Sequence, residues 1–142
     1  MSGEGNAKGG RIIPALRYRN AAAAIDWLCG AFGFERKMVV PADGGSVAHA
    51  ELTLGNGMIM LGDVETEYGR IVAAPTRGGP ATQGIYVVVE DADAHYARAK
   101  AAGAEIVLDI KTQDYGGRDY TARDPEGHVW TFGTYDPWVA TA

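Results

Sequence analysis

The chain has 142 residues, a formal net charge of −5 and a single cysteine, Cys29. That balance leaves no basic footprint for nucleic acid or for an acidic membrane surface, and no apolar run is long enough to span a bilayer. With one cysteine no intrachain disulfide can form, which fits a reducing, cytoplasmic location.

Residues 1–10 are Gly-rich and polar, lack the apolar stretch of a signal peptide, and read as a disordered tail. Arg11 to Arg19 predicts a strand. Asn20 is a good N-cap, and Ile25, Leu28, Cys29 and Phe32 recur at helical spacing up to Gly33, a natural left-handed stop. Cys29 within that pattern reads as a buried, inert thiol. Phe34 to Val40 predicts a second strand, closed by Pro41 and the Asp43-Gly44-Gly45 turn. Val47 to Leu54 and Met58 to Leu61 predict two more, joined by a tight Gly55-Asn56-Gly57 turn. Residues 63–83 form a long linker rich in Gly, Pro and Thr, the length of a lid or an exchange hinge. Then the plan recurs: a strand at Ile85 to Val89, a helix from about Asp93 to Ala102, and strands near Ile106 to Ile110, Arg118 to Arg123 and His128 to Thr134.

The two halves are copies. Gly33 and Gly57 are matched 70 positions later by Gly103 and Gly127. Each copy is a βαβββ unit, so the chain divides into a tail (1–10), a first module (11–62), a linker (63–83), a second module (84–134) and a C-terminal tail (135–142). Small modules on a long linker can pair within a chain or between chains, so a homodimer is expected.

In Val47 to Leu54 side chains alternate between faces. Ala48, Ala50, Leu52 and Leu54 should pack on the helix of their own half. Val47, His49, Glu51 and Thr53 share the opposite face, where a His and a Glu two residues apart are functional groups if the face meets a cavity and ordinary solvated side chains if it meets water.

Paired βαβββ units of this size, with Asp124-Pro125-Glu126-Gly127-His128 before the final strand, resemble the vicinal oxygen chelate superfamily. It includes glyoxalases, extradiol dioxygenases, fosfomycin-modifying enzymes and bleomycin-binding resistance proteins. Tyr18-Arg19-Asn20, Gly33-Phe34-Glu35 and Val89-Glu90-Asp91-Ala92-Asp93-Ala94 strengthen the resemblance, which covers nearly everything from Arg11 to Pro137. It implies an α+β fold in which two βαβββ modules form a curved mixed sheet with a concave pocket and outer helices.

Metal-using members of the family resemble one another at four strand positions, which fall here on Ile13, Leu61, Gly84 and Thr131. None supplies an imidazole or carboxylate, and a slip of one residue to Pro14, Met60, Ile85 or Trp130 does no better. No metal and no cofactor are therefore expected. By strand register with the family's ligand positions, Arg17, His49, Glu51, Tyr86 and Thr131 are expected to line the pocket, with Tyr115 near its mouth. Arg17 serves as an anion anchor or is a surface arginine. Tyr115 and Tyr120 offer flat apolar faces with polar tips. His95 reads as exposed, His128 as a structural hydrogen-bonding residue, Trp27 and Trp130 as core, and Trp138 as a cover over the pocket or a partner subunit. Gly116-Gly117 is no phosphate loop, since no Lys-Ser or Lys-Thr follows.

Two functions follow. One is a metal-free protein that binds and sequesters an apolar or aromatic small molecule. The other is a lyase, isomerase or dioxygenase-like enzyme using His49 and Glu51 as an acid/base pair or as atypical metal ligands.

Overall fold

A computed structural model describes residues 9–139; of the expected tails at 1–10 and 135–142, residues 1–8 and 140–142 lie outside the described residues. The elements are β1 (Ala15–Tyr18), α1 (Ala21–Phe32), β2 (Glu35–Pro41), β3 (Val47–Leu54), β4 (Gly57–Asp63), β5 (Gly84–Val88), α2 (Ala92–Ala101), β6 (Glu105–Thr112), β7 (Arg118–Arg123) and β8 (Val129–Gly133). Short 3₁₀ turns lie at Asp43–Gly45 and Tyr68–Arg70. The chain divides into two units, one ending at Ala74 and one beginning at Pro75.

Local chemistry explains the helix limits. The Asn20 side chain accepts from the Ala23 N–H at 3.1 Å, and Asp91 accepts from Ala94 at 3.0 Å. Gly33 follows α1 at φ 86° and Gly103 follows α2 at φ 91°, left-handed conformations that cost glycine nothing. The predicted strand from Arg11 shrinks to Ala15–Tyr18, because only those residues have ladder partners on β4.

The expected single curved sheet around a concave pocket is not what forms. There are two separate four-stranded mixed sheets, ordered β1-β4-β3-β2 and β5-β8-β7-β6, flanked by helices and neither curled nor closed into a pocket. Each module satisfies its own ladder. The outer strands β2 and β6 carry register shifts, between Arg36 and Met38, Val40 and Pro41, Ile106 and Leu108, and Leu108 and Lys111, and such irregularities break off pairing at a sheet edge.

In the first unit Leu16, Tyr18, Ala50, Leu52, Ile59 and Leu61 are buried with Ala24, Ile25, Leu28 and Phe32 of α1. Ala48, expected on that face, is exposed because the ladder shifts there, Val40 opposing His49 and Pro41 opposing Val47. Asp63 ties the unit together: its buried carboxylate accepts from Ala21 N–H at 3.2 Å, the first turn of α1, and from Val47 N–H at 2.5 Å, the start of β3.

The second core is aromatic. Trp130, Tyr120 and Phe132 are fully buried on the helix side. His95, predicted exposed, instead stacks on Phe132 with ring centroids 4.1 Å apart and shares a 2.6 Å hydrogen bond with Tyr120. The reason is helical spacing: His95 sits on the same stripe as buried Ala92 and Ala99. Asp124 joins this core to its turn, accepting from the Trp130 indole at 3.1 Å and from the backbone N–H groups of Glu126 and His128.

The register also corrects the repeat. Leu54 pairs with Gly57 across a two-residue loop, with Gly55 at φ 59° and Asn56 not at positive φ, the type II′ pattern. Asp124 N–H bonds His128 O at 3.0 Å across three residues, with Gly127 at φ 100°. The equivalent of Gly57 is therefore His128, not Gly127, and the displacement becomes 71 in the last strand. Ala15 paired with Met60 corresponds to Tyr86 paired with Thr131.

Removing Asp63 strands two buried donors. Asp63→Ala should cost about 1–3 kcal/mol, read as a lower urea midpoint, and Asp63→Asn, which keeps one acceptor oxygen, should cost less. An unchanged midpoint for Asp63→Ala would contradict this account.

Candidate functional site

Strand alternation gives each sheet a face turned away from its helix. In the first unit this face carries Ala15 and Arg17 of β1, Met58, Met60 and Gly62 of β4, and His49, Glu51 and Thr53 of β3. The His49 Nε2–H donates to Glu51 Oε2 at 3.0 Å, with 36% of the His49 and 20% of the Glu51 side chain exposed. The two residues singled out in β3 thus form one hydrogen-bonded pair.

Arg17 lies on the same face but is only 4% exposed. Its Nε donates to Leu16 O at 2.9 Å, and its Nη1 to Thr66 Oγ1 at 3.2 Å and Asp63 O at 3.4 Å. The Tyr68 ring covers it, with its centroid 5.0 Å from the guanidinium carbon. Burial pulls the guanidinium pKa below its usual value, opposed by Tyr68 and Asp63. A Cβ on Gly62 would stand 2.7 Å from Arg17 Nη1 and from Ala48 O, so glycine there makes room for the arginine.

In the second unit the face away from α2 carries Tyr86, Thr131, Thr121, Asp119 and Gly133. Thr121 and Thr131 share a hydroxyl hydrogen bond at 2.7 Å. The Tyr86 hydroxyl donates to Tyr135 O at 2.7 Å, and its ring lies over Gly133, where a Cβ would meet the hydroxyl at 2.5 Å. Burial, then Asp119, raise the Tyr86 pKa. Buried Asp119 accepts from Tyr115 O–H and from Gln113 Nε2–H, both at 2.7 Å. Tyr115 also meets Tyr135 edge to face, 5.4 Å between centroids. Tyr86, Tyr115 and Thr131 therefore share one neighbourhood, organised by Asp119, Gln113 and Tyr135. Sequence reasoning missed those three; the alternation of Asp119, Thr121 and Arg123 along β7 was the available signal.

It also missed a cleft of about 640 Å³ in the first unit, lined by Arg19, Asp43, Ser46, Asp63 and Glu65 among others. None of the expected site residues lines it.

The metal that the family resemblance implies does not fit the residues present. Corrected for register, the place of Leu61, which is fully buried on the helix side, passes to Met60. Ile13, Met60, Gly84 and Thr131 offer one hydroxyl and one thioether, no donor set for a hard or borderline cation. Among the described residues no group of three or more His, Cys, Asp and Glu could hold a metal ion.

The Asp119 hydrogen bond raises the Tyr115 pKa from 10.0 to about 12. Because the folded value exceeds the unfolded one, the stability this contributes is whole below pH 10.0 and is lost as pH rises toward about 12. Ultraviolet titration of tyrosinate should show a late step that Tyr115→Phe removes and Asp119→Asn moves down toward the ordinary range. A step that ignores Asp119→Asn would contradict the assignment.

An uncharacterised protein of Mycobacterium bovis is 36% identical over 123 residues, covering 86% of this chain and 81% of its own length. The crystal structure of TioX from Micromonospora sp. ML1 is 35% identical and superposes with a TM-score of 0.72, covering 88% of this chain and 98% of TioX. Lactoylglutathione lyase from Agrobacterium tumefaciens is 25% identical with a TM-score of 0.63, covering 87% of this chain and 92% of that one. No helix among the described residues is long and apolar enough to cross a membrane. Residues 12–132 match the model of the Glyoxalase/Bleomycin resistance protein/Dioxygenase superfamily, and the chain belongs to that superfamily.

Proposed function

We propose that this chain is a small-molecule binding protein of the glyoxalase/bleomycin-resistance type, holding an apolar or aromatic organic ligand without a metal. The observation that carries this reading is the donor chemistry of the helix-distal faces. Where the family's metal ligands would stand are Ile13, Met60, Gly84 and Thr131, and the side chains on the same faces include thioethers and phenols beside the His49–Glu51 pair, Asp119 and Thr121. Binding needs apolar surface and a few placed polar groups, and no activated water. The proposed ligand-contacting groups are, taken unit by unit, His49 and Glu51 on the first unit's face and Tyr86, Tyr115 and Thr131 on the second's. Arg17, committed to Leu16, Asp63 and Thr66, holds the β1–β4 seam beside the first set.

A second reading, a lyase- or isomerase-like enzyme, is favoured by the His49–Glu51 hydrogen bond. Glu51 engages Nε2, which leaves Nδ1 as the atom to accept a proton from a bound substrate. The likeness to a lactoylglutathione lyase supports the same reading.

The homodimer is proposed as well. It is supported by β2, an edge strand whose Met38, Val39 and Val40 are exposed. A monomer by sedimentation at tens of micromolar, where a stable dimer should persist, would overturn it.

The test of function is elemental analysis of protein purified without affinity-tag nickel, with native mass spectrometry for a retained small molecule. The expected result is no stoichiometric metal and an organic adduct. Tyr86→Ala should then weaken binding of that compound several-fold, since a stacked ring is worth about 0.5–1.5 kcal/mol. Stoichiometric zinc, nickel, iron or manganese that survives His49→Ala would overturn the metal-free reading.

A further inference from the structure

Resting on the binding reading above, we infer that the first unit's face takes a flat aromatic cation, with Glu51 as counter-ion and methionines as the grip on its ring. The chain has four methionines, and Met38, Met58 and Met60 all gather around one carboxylate. Met38 opposes Glu51 from β2, Met60 opposes it from β4, and Met58 stands two residues along β4, opposite Thr53. Directly opposed residues share a face, so Glu51 lies between two thioethers with a third beside them. Three unbranched, polarisable side chains adapt to a ring and make favourable sulfur–aromatic contacts.

The polar group in their midst sets the charge of the ligand. Only 20% of the Glu51 side chain is exposed. Its one hydrogen-bond partner among the described residues is His49. A carboxylate offers about four acceptor positions and the imidazole uses one. Among the cations on the neighbouring strands, Arg17 is engaged with Leu16, Asp63, Thr66 and the Tyr68 ring, Arg36 pairs with Asp26, and Lys37 is exposed at the β2 register shift between Arg36 and Met38. A carboxylate sheltered by thioethers is stabilised by an incoming positive charge and repels an anion. The net charge of −5 attracts the same kind of ligand over longer range.

The test compares three flat tricyclic probes by fluorescence titration of the full chain: proflavine as the cation, hydroxymethylanthracene as the neutral form and anthracene carboxylate as the anion. Proflavine should bind about tenfold tighter or better than the other two, and rising salt should erode that preference. Glu51→Gln should weaken proflavine about tenfold more than it weakens the neutral probe, which abolishes the preference, and His49→Gln, which leaves the Glu51 charge in place, should keep the preference. The paired Met58→Leu and Met60→Leu changes conserve volume and should weaken all ring binding about two- to tenfold. Circular dichroism and the urea midpoint serve as the folding control, and the salt dependence on the unaltered chain tests the charge preference without any variant. Equal binding of the three probes, or a cation preference that survives Glu51→Gln, would overturn the counter-ion assignment while the binding reading stands. If no probe binds, both fall.

Discussion

The Asp63 carboxylate is the constraint on which the first unit depends. It closes β4, satisfies the first turn of α1 and pins the start of β3, three segments far apart in sequence. Val47 lies just past the point where the β2–β3 register shifts, so this bond sets which residues of β3 face the helix. A slip of one residue there would carry His49 and Glu51 into the core and Ala50 and Leu52 out of it. The position of the dyad is thus a consequence of a buried carboxylate at the end of the neighbouring strand. The second unit solves the same problem at a different place. Asp124 holds its turn and the Trp130 indole together before the last strand begins.

Each sheet also omits a side chain at the same structural position. Gly62 and Gly133 occupy equivalent places on the last strands, and over each lies a long side chain from the first strand, Arg17 in one unit and Tyr86 in the other. The copies share this device and differ in what surrounds it. His49, Glu51 and Met60 of the first unit correspond to Asp119, Thr121 and Thr131 of the second. One face presents an imidazole–carboxylate pair among thioethers, and the other a carboxylate bound by a phenol and an amide beside paired hydroxyls. A duplicated framework has therefore kept its packing glycines and diverged in its chemistry, which is how one fold carries many functions.

By itself the sequence determined what local physics determines. Asn20, Asp91, Gly33 and Gly103 mark helix ends because capping and left-handed turns are decided within a few residues. The alternation of β3 placed His49 and Glu51 on one face because the pleat has a period of two. Absent ligands at Ile13 and Gly84 were legible because ligand chemistry is a property of residue type. What only the tertiary structure decided depends on hydrogen bonds between distant segments. Counting turn glycines gave one displacement of 70, but a three-residue loop in place of a two-residue one shifted the last strand, so Met60 and not Leu61 stands where Thr131 does. His95 shares its helical stripe only with the small Ala92 and Ala99, among charged neighbours, and that spacing did not tell that Phe132 and Tyr120 would receive it. Nor could Arg17 be assigned, because its acceptors are mostly backbone carbonyls, which every residue carries and which only the fold brings within reach. The one curved sheet expected from the resemblance failed for the same reason. Strand pairing is settled by which edges find partners, and here each set of four strands found them within its own unit.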